Sequence, residues 1–392
     1  MSLPTTATRG RIIVFGLMFW YPLAGVTYQF LHYLLGLQEL GYDVWYVEDS
    51  GRWVYDPTLN DLSPDASGNV GLVAPVLAAH GLGDRWVFRG DYEGGSCYGR
   101  NEQELAELYR TADAFLNVTG AQELREEHLA VPRRIYVESD PFPVQVRAAA
   151  GDEGTRRVLA QHDTHFTFGE SVGTPSCPLP TAGVTWLPTR QPVVPRLWRD
   201  DTVRPRDVFT TITTWHNKGK DVDWDGETYF WTKDREFRSV LDLPRQRPGA
   251  FELAVSADPG TEQLLDEHGW QRTSSLEVSR DVAGYRAYVL GSRGEFTVAR
   301  DQYVRPRTGW FSDRSACYLA AGRPVITQET GFSEHLPTGA GLFAWNDLND
   351  VLAAVDAIAG DHAGHCRAAR ELADEHFAAT KVLGSLMGRA GL

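Results

Sequence analysis

The chain has 392 residues, 42% of them hydrophobic, enough to bury two cores, so two domains are the default organisation. A formal charge of −14 with a pI near 5.3 argues against nucleic acid or an anionic membrane as partner, since both need a basic surface; a phosphorylated ligand must be held by a local site. Four cysteines (Cys97, Cys177, Cys317, Cys366) stand far apart with no C-x-x-C, which speaks against a disulfide framework or a zinc knuckle and fits a reducing cytoplasm.

The segment Arg11 to Val26 imitates a signal peptide, with a basic start and the apolar run IIVFGLMFW. Pro22 and Gly25 interrupt it, no A-x-A cleavage site follows, and it is too short to span a bilayer. It predicts a buried first strand over Ile12 to Gly16 and no integral membrane segment. Phe30, Leu31, Leu34, Leu35 and Leu37 recur at helical spacing, Gly41 stops the helix, and Val44 to Val47 reads as the second strand of a βαβ unit. Gly16-Leu17-Met18 lacks the glycine fingerprint of a dinucleotide site, so no nicotinamide or flavin cofactor is expected. Gly51 to Gly71 reads as a loop-rich excursion.

Further strands are predicted at Ala114 to Val118, Arg134 to Val137 and His165 to Phe168. The proline-rich stretch TWLPTRQPVVPRLW then reads as a connector, placing an N-terminal domain over 1–188 and a C-terminal domain over 189–392. The second domain opens with a strand over Val208 to Thr214 and a polar loop, Trp215 to Lys220. Helical patterns around Glu236 to Leu241 and Thr261 to His268 flank a strand at Phe251 to Val255, and Gly294 to Val298 is another strand. The end, His362 to Leu386, is an amphipathic helix.

Two constellations suggest metals and are better read otherwise. Asp221-Val-Asp-Trp-Asp-Gly226 starts like a calcium loop, but Thr232 stands where the bidentate glutamate belongs, so a solvated acidic hairpin is expected. His162 and His165 lie on a strand pattern that points them apart, so they are read as structural and no metal site is expected.

The most informative stretch is Thr308 to Trp345, TGWFSDRSACYLAAGRPVITQETGFSEHLPTGAGLFAW. Gly309, Ser312, Asp313 and Ser315 precede a short apolar run, forming a polar loop that feeds a helix N-terminus suited to an anion. Gly322 and Arg323-Pro324 end the helix, Val325-Ile326 opens a strand, and a second polar turn follows at Thr330-Gly331-Phe332-Ser333. Arg293, Arg300, Arg305, Arg307 and Arg314 gather around this stretch in an otherwise acidic chain. Guanidinium groups there would suit a phosphate.

The order of Gly-rich turn, helix ending A-A-G-R-P-V-I, T-G turn, Glu334 and G-x-G-L-F resembles the donor half of GT-B glycosyltransferases. With Gly294-Glu295-Phe296 ahead of it, the run is similar to bacterial glycosyltransferase-like proteins. The resemblance implies an α/β chain of two Rossmann-like domains facing across a cleft, with the last helix crossing back to the N-terminal domain. It implies metal-independent transfer of a hexose or deoxysugar from a nucleotide diphosphate sugar to a small-molecule or glycan hydroxyl, in natural product or glycan biosynthesis. The donor would be a co-substrate, with no bound cofactor. Donor contacts would come from Trp215, Lys218, Arg293, Arg305, Ser312, Asp313, Arg314, Ser315, Thr330, Gly331, Phe332, Ser333 and Glu334. Trp20, Tyr21 and Trp53 would meet the acceptor, and Asp140, Glu170, Asp49 or His32 would supply a base. Cys317 and Gly309 occupy positions where many retaining members carry glutamates, which leaves the stereochemical class open. A nucleotide-sugar epimerase of the same fold and a non-catalytic sugar-nucleotide binding protein are the alternatives. Donor base, acceptor and oligomeric state are not legible.

Overall fold

The computed structural model describes residues 9–90, 97–217 and 219–392. They form two compact units. The first comprises the chain up to Ser139 with Glu153–Phe166 and Ala379–Leu392; the second comprises Asp140–Asp152 and Thr167–Ala378.

The first unit contains β1 (Arg11–Phe15), β2 (Asp43–Glu48), β3 (Val54–Asp56), β4 (Asp61–Ser63), β5 (Trp86–Arg89), β6 (Cys97–Tyr98), β7 (Ala114–Val118), β8 (Arg133–Glu138) and β9 (Thr164–Thr167). Its main sheet runs β9-β8-β7-β1-β2-β5-β6, with β1 parallel to both β2 and β7, and β6 added antiparallel at the edge. Ile12, Ile13, Val14 and Phe15 are all inaccessible to solvent, as an unbroken apolar run at the centre of a parallel sheet requires. Numbered by their parallel members, these strands follow the doubly wound order 3-2-1-4-5-6.

The second unit contains β10 (Trp186–Pro188), β11 (Phe209–Thr214), β12 (Val222–Trp224), β13 (Glu227–Tyr229), β14 (Phe251–Ser256), β15 (Gln271–Thr273), β16 (Gly294–Thr297), β17 (Val325–Gln328) and β18 (Leu342–Trp345). Its six-stranded sheet, β15-β14-β11-β16-β17-β18, is parallel and repeats the same winding order. Phe209, Phe251, Trp270, Phe296 and Trp345 form an aromatic core on one face.

Three local readings are settled here. The acidic hairpin is β12–β13, turned by Asp225 (φ 53°) and Gly226 (φ 78°), the left-handed pair a two-residue hairpin needs. His162 and His165 hydrogen-bond to the Val158 and Leu159 carbonyls at 2.7 and 2.8 Å; burial holds the His162 imidazole down to about 4, against the pull of its carbonyl partner. The excursion from Gly51 is more ordered than its composition suggests, holding the β3–β4 hairpin and a helix, Ser67–Ala79. That helix buries Asn69, Val73 and Leu77 at four-residue spacing, but Gly68, Gly71 and Pro75 carry the signature of a loop.

The C-terminal pattern is not one helix. His362–Leu372 passes through a π-helical turn, Ala373–Phe377, and Ala379–Arg389 starts anew. The last segment packs on the first helix, Ala24–Glu39, at Gly36: a Cβ there would lie 2.6 Å from that of Ala379, so the glycine permits the approach.

Candidate active site

In a 3-2-1-4-5-6 sheet the loops diverge between the first and fourth strands, opening a crevice at their carboxyl ends. In the second unit this is the gap between β11 and β16. Arg314, in the first turn of the helix Asp313–Ala320, reaches into it. Its Nε donates to Glu295 Oε1 at 2.6 Å, Nη1 to the Ile212 carbonyl at 2.8 Å and Nη2 to Thr297 Oγ1 at 2.8 Å. One guanidinium thus ties the helix start to both strands, with Glu295 fully buried beneath it.

Polar groups around this tie are left without partners. Ser312 is the N-cap but its side chain makes no cap hydrogen bond, and Ser315 Oγ and Glu295 Oε2 are buried with no hydrogen bond among the described residues. Lys233 is the plainest case. Its backbone N–H donates to the Trp215 carbonyl just past β11, at 3.3 Å, and the residue is only 7% exposed. Its ammonium has no hydrogen bond or ion pair among the described residues. Burial, reinforced by Arg314 and Arg300 and opposed by the Glu295 and Asp313 carboxylates, holds that ammonium well below the usual lysine range. Burial likewise pushes the Asp313 carboxyl up, opposed by Arg314 and aided by Asp140 and Glu295.

Asp140 closes the group. Its Oδ1 accepts from Tyr303 at 2.5 Å and from Arg300 Nη1 at 3.2 Å, while 43% of its side chain stays exposed. Arg300 is itself stacked 3.7 Å over the Trp231 ring. Two residues on, Phe142 has φ 118°, a conformation that costs a non-glycine residue about 1–3 kcal/mol and that concentrates at functional sites.

The expected donor residues divide. Ser312, Asp313, Arg314 and Ser315 assemble at the crevice. Thr330 and Gly331 form the turn after β17, where Gly331 (φ 91°) lies against the Arg307 carbonyl and Thr330 donates to the Trp310 carbonyl. Phe332 is buried against Phe311, Ser333 is exposed, and Glu334 pairs with Arg307 at 2.9 Å. Trp215 is a core residue stacked on Phe237. Arg293 precedes β16, at the opposite end of the strand from the crevice, and pairs with Asp207. Arg305 is engaged by Asp301 and Glu227. Lys218 lies outside the described residues.

Of the candidate bases only Asp140 joins this cluster. Glu170 is paired with Arg190 at 2.6 Å, His32 is buried in the first helix, and Asp49 is buried under Arg89 and Arg125. Trp20, Tyr21 and Trp53 lie in the loops after β1 and β2. Asp49, Glu127 and His128 also have ligand atoms within 4.8 Å of one another, but the two arginines already occupy the Asp49 carboxylate. Sequence reasoning missed Lys233 and Tyr303: one follows a hairpin in a short polar stretch, the other sits in a four-residue helix, and neither has a periodicity to mark it.

No family model and no curated protein matches the chain. Solved structures do match, and with the winding of both sheets they define the class: the chain has the GT-B glycosyltransferase fold. A glycosyltransferase from Rickettsia africae aligns over 98% of each chain at 10% identity and a TM-score of 0.56. Anabaena HepE, in complex with UDP and glucose, aligns over 98% of this chain and all of its own at 10% identity and 0.54. An α-glucosyltransferase bound to UDP and DNA containing an HMU base aligns over 98% of this chain and 100% of its own at 10% identity and 0.59. No described helix is long and apolar enough to cross a membrane.

Proposed function

We propose that the protein is a glycosyltransferase that moves a sugar from a nucleotide diphosphate sugar to the hydroxyl of a small molecule or glycan. The observation that carries this reading is Lys233, a buried amine with no hydrogen bond or ion pair among the described residues, beside a helix N-terminus whose N-cap side chain makes no cap hydrogen bond. A buried cation held without a partner is costly unless a ligand supplies one, and a diphosphate supplies it. UDP is the first nucleotide to test, since HepE and the α-glucosyltransferase were solved with it.

In the reaction the bond between the anomeric carbon and the β-phosphate oxygen breaks, its electron pair leaving with the diphosphate. The acceptor oxygen bonds to the anomeric carbon and passes its proton to a base, for which the Asp140 carboxylate is the candidate. Lys233 and the N–H groups from Ser312 to Ser315 take up the charge on the leaving group, the work a metal ion does elsewhere. Arg314 holds the helix in place through Glu295 and Thr297. Asp140, partly exposed and oriented by Tyr303 and Arg300, is the candidate for a carboxylate at the reacting sugar. The charge of −14 argues against a nucleic-acid acceptor, and the free cysteines fit a cytoplasmic site of action.

Calorimetry with UDP on wild type and Lys233→Met tests the site, and incubation of UDP-glucose with an acceptor panel tests the chemistry. Binding that Lys233→Met does not weaken contradicts the placement. A new epimeric nucleotide sugar formed without acceptor contradicts transfer.

A further inference from the structure

Lys233 leads into the short helix Asp234–Arg238, and Glu236 within it is a half-buried carboxylate that makes no ion pair among the described residues. The two arginines that act on it at longer range are engaged elsewhere: Arg235 lies 3.9 Å over the Phe230 ring, and Arg305 is paired with Asp301 and Glu227. The helix is fixed over the carboxyl ends of the parallel strands. Phe237, the next residue, is buried and stacks on Trp215, just past β11, with centroids 5.2 Å apart and planes 21° from parallel. Gln328, the last residue of β17, donates from Nε2 to Glu236 Oε2 at 2.5 Å, and its Oε1 accepts from the Ala299 N–H, just past β16, at 3.0 Å.

The Gln328 amide fixes what Glu236 can do. A backbone N–H only donates, so the amide oxygen must face Ala299 and the amide NH2 must face Glu236, which is thereby held as an acceptor. Burial raises the Glu236 carboxyl, opposed first by that amide N–H. Its other oxygen, Oε1, accepts no hydrogen bond from any described residue. Within three residues the chain thus sets a buried amine without a hydrogen bond and an oriented carboxylate with one oxygen to spare. The first takes an anion. The second repels an anion and takes a neutral donor, and in a nucleotide sugar the neighbours of the diphosphate on either side are polyols, the ribose and the transferred sugar.

We propose that Glu236, oriented by Gln328, accepts a hydrogen bond from a hydroxyl of the donor, on the ribose or on the transferred sugar, and makes the site selective for that hydroxyl over a deoxy analogue. The inference rests on the transfer reading and deepens it by setting a requirement on the donor's hydroxyls. A carboxylate that served only the start of its own helix would leave ligand discrimination untouched.

The test is calorimetry on the full chain with three probes: UDP, 2′,3′-dideoxy-UDP and UDP-glucose. If the hydroxyl is on the ribose, wild type binds UDP at least about tenfold more tightly than the dideoxy form, and Glu236→Ala removes that preference by weakening UDP and UDP-glucose while leaving the dideoxy form alone. If it is on the transferred sugar, Glu236→Ala weakens UDP-glucose about tenfold and leaves both free nucleotides alone. Glu236→Asp keeps the charge but withdraws it by one methylene, so it should lose the preference as well, with melting temperature unchanged in both variants. Equal weakening of all three probes, tighter binding of all three as a like charge is removed, or no change in any of them overturns the inference. So does a Glu236→Asp variant that discriminates like wild type, since the preference would then belong to the charge and not to a contact. Sugar transfer that proceeds with no effect of Glu236→Ala on any probe leaves the transfer reading standing and removes this one. The expected binding pattern without transfer to any acceptor does the reverse.

Discussion

In the first unit Asp49 is fully buried and its carboxylate is taken by Arg89 at 2.7 and 2.8 Å, by Tyr109 at 2.8 Å and by Arg125. In the second, Lys233 is buried beside Arg300 and Arg314, with the Glu295 and Asp313 carboxylates near enough to act on it but no hydrogen bond or ion pair among the described residues. Burial alone would raise the Asp49 carboxyl, but His128, Arg89 and Arg125 bring it down to about 2. Nothing comparable restores the Lys233 ammonium. Desolvating a charge is repaid only by good pairing, so a saturated cluster reads as architecture and an unsaturated one as half of an interaction that a ligand completes. The resemblance placed Asp49 among the candidate bases; its partners make it a strut between β2, β5 and the segment at Arg125.

The sharpest way to break this contrast is Arg89→Ala. It strips a buried carboxylate of its bidentate partner and should cost about 3–5 kcal/mol in denaturant unfolding, with UDP affinity unchanged in whatever fraction stays folded. A small stability change would mean that the Asp49 cluster is not structural.

Glu48, next to Asp49, is buried in a third way. Burial raises its carboxyl to about 8, against the Tyr46 hydroxyl and the Phe19 and Trp20 N–H groups that favour the carboxylate. Its folded value lies above the unfolded 4.5, so the stability it contributes is complete below pH 4.5 and lost as pH rises through about 8. Unfolding free energy should fall by at most roughly 5 kcal/mol across that window, and Glu48→Gln should flatten the profile. A wild-type profile as flat as the variant's would refute this.

Lys233→Met should act in the opposite sense to Arg89→Ala, with melting temperature unchanged or raised and UDP affinity lowered ten- to a hundredfold, the roughly 1.5–3 kcal/mol of a charged hydrogen bond. A linked signature should accompany it. The free amine is held below its usual range and a diphosphate raises it, so UDP binding should take up a proton in the pH range where the free amine titrates, measured as a dependence of binding heat on buffer ionisation. Uptake that persists in Lys233→Met assigns the proton to another group.

Asp313→Asn is the smallest expected effect. The side chain keeps its acceptor at the helix start, so stability should shift by no more than about 1 kcal/mol. Its influence on UDP affinity should stay below that of Lys233→Met. A larger loss would make Asp313, and not Lys233, the principal donor contact.

The sequence by itself determined the elements whose signals are local. Apolar β-branched runs such as IIVF and VIT can only be covered strands of a parallel sheet, Asp225-Gly226 can turn a hairpin, and Ser312 to Ser315 ahead of an apolar run must open a helix. These sufficed for the central strands of both sheets and for the anion-ready turn, but not for β5, β6, β15 and β18. They did not suffice for Gly51 to Gly71, where Gly and Pro within the helix Ser67–Ala79 outweighed its buried spacing, nor for the break at Ala378. Only the tertiary structure decided which charges are satisfied, because their partners lie far along the chain: Arg89 is 40 residues from Asp49, and Arg300 is 160 from Asp140. An arginine among acids looks the same whether it is a strut, as Arg314 and Arg305 are, or free to meet a phosphate. Side-chain charge is a property of the residue, but the cost of burying it depends on what the fold brings within about 3 Å, and spacing in the sequence carries no record of that.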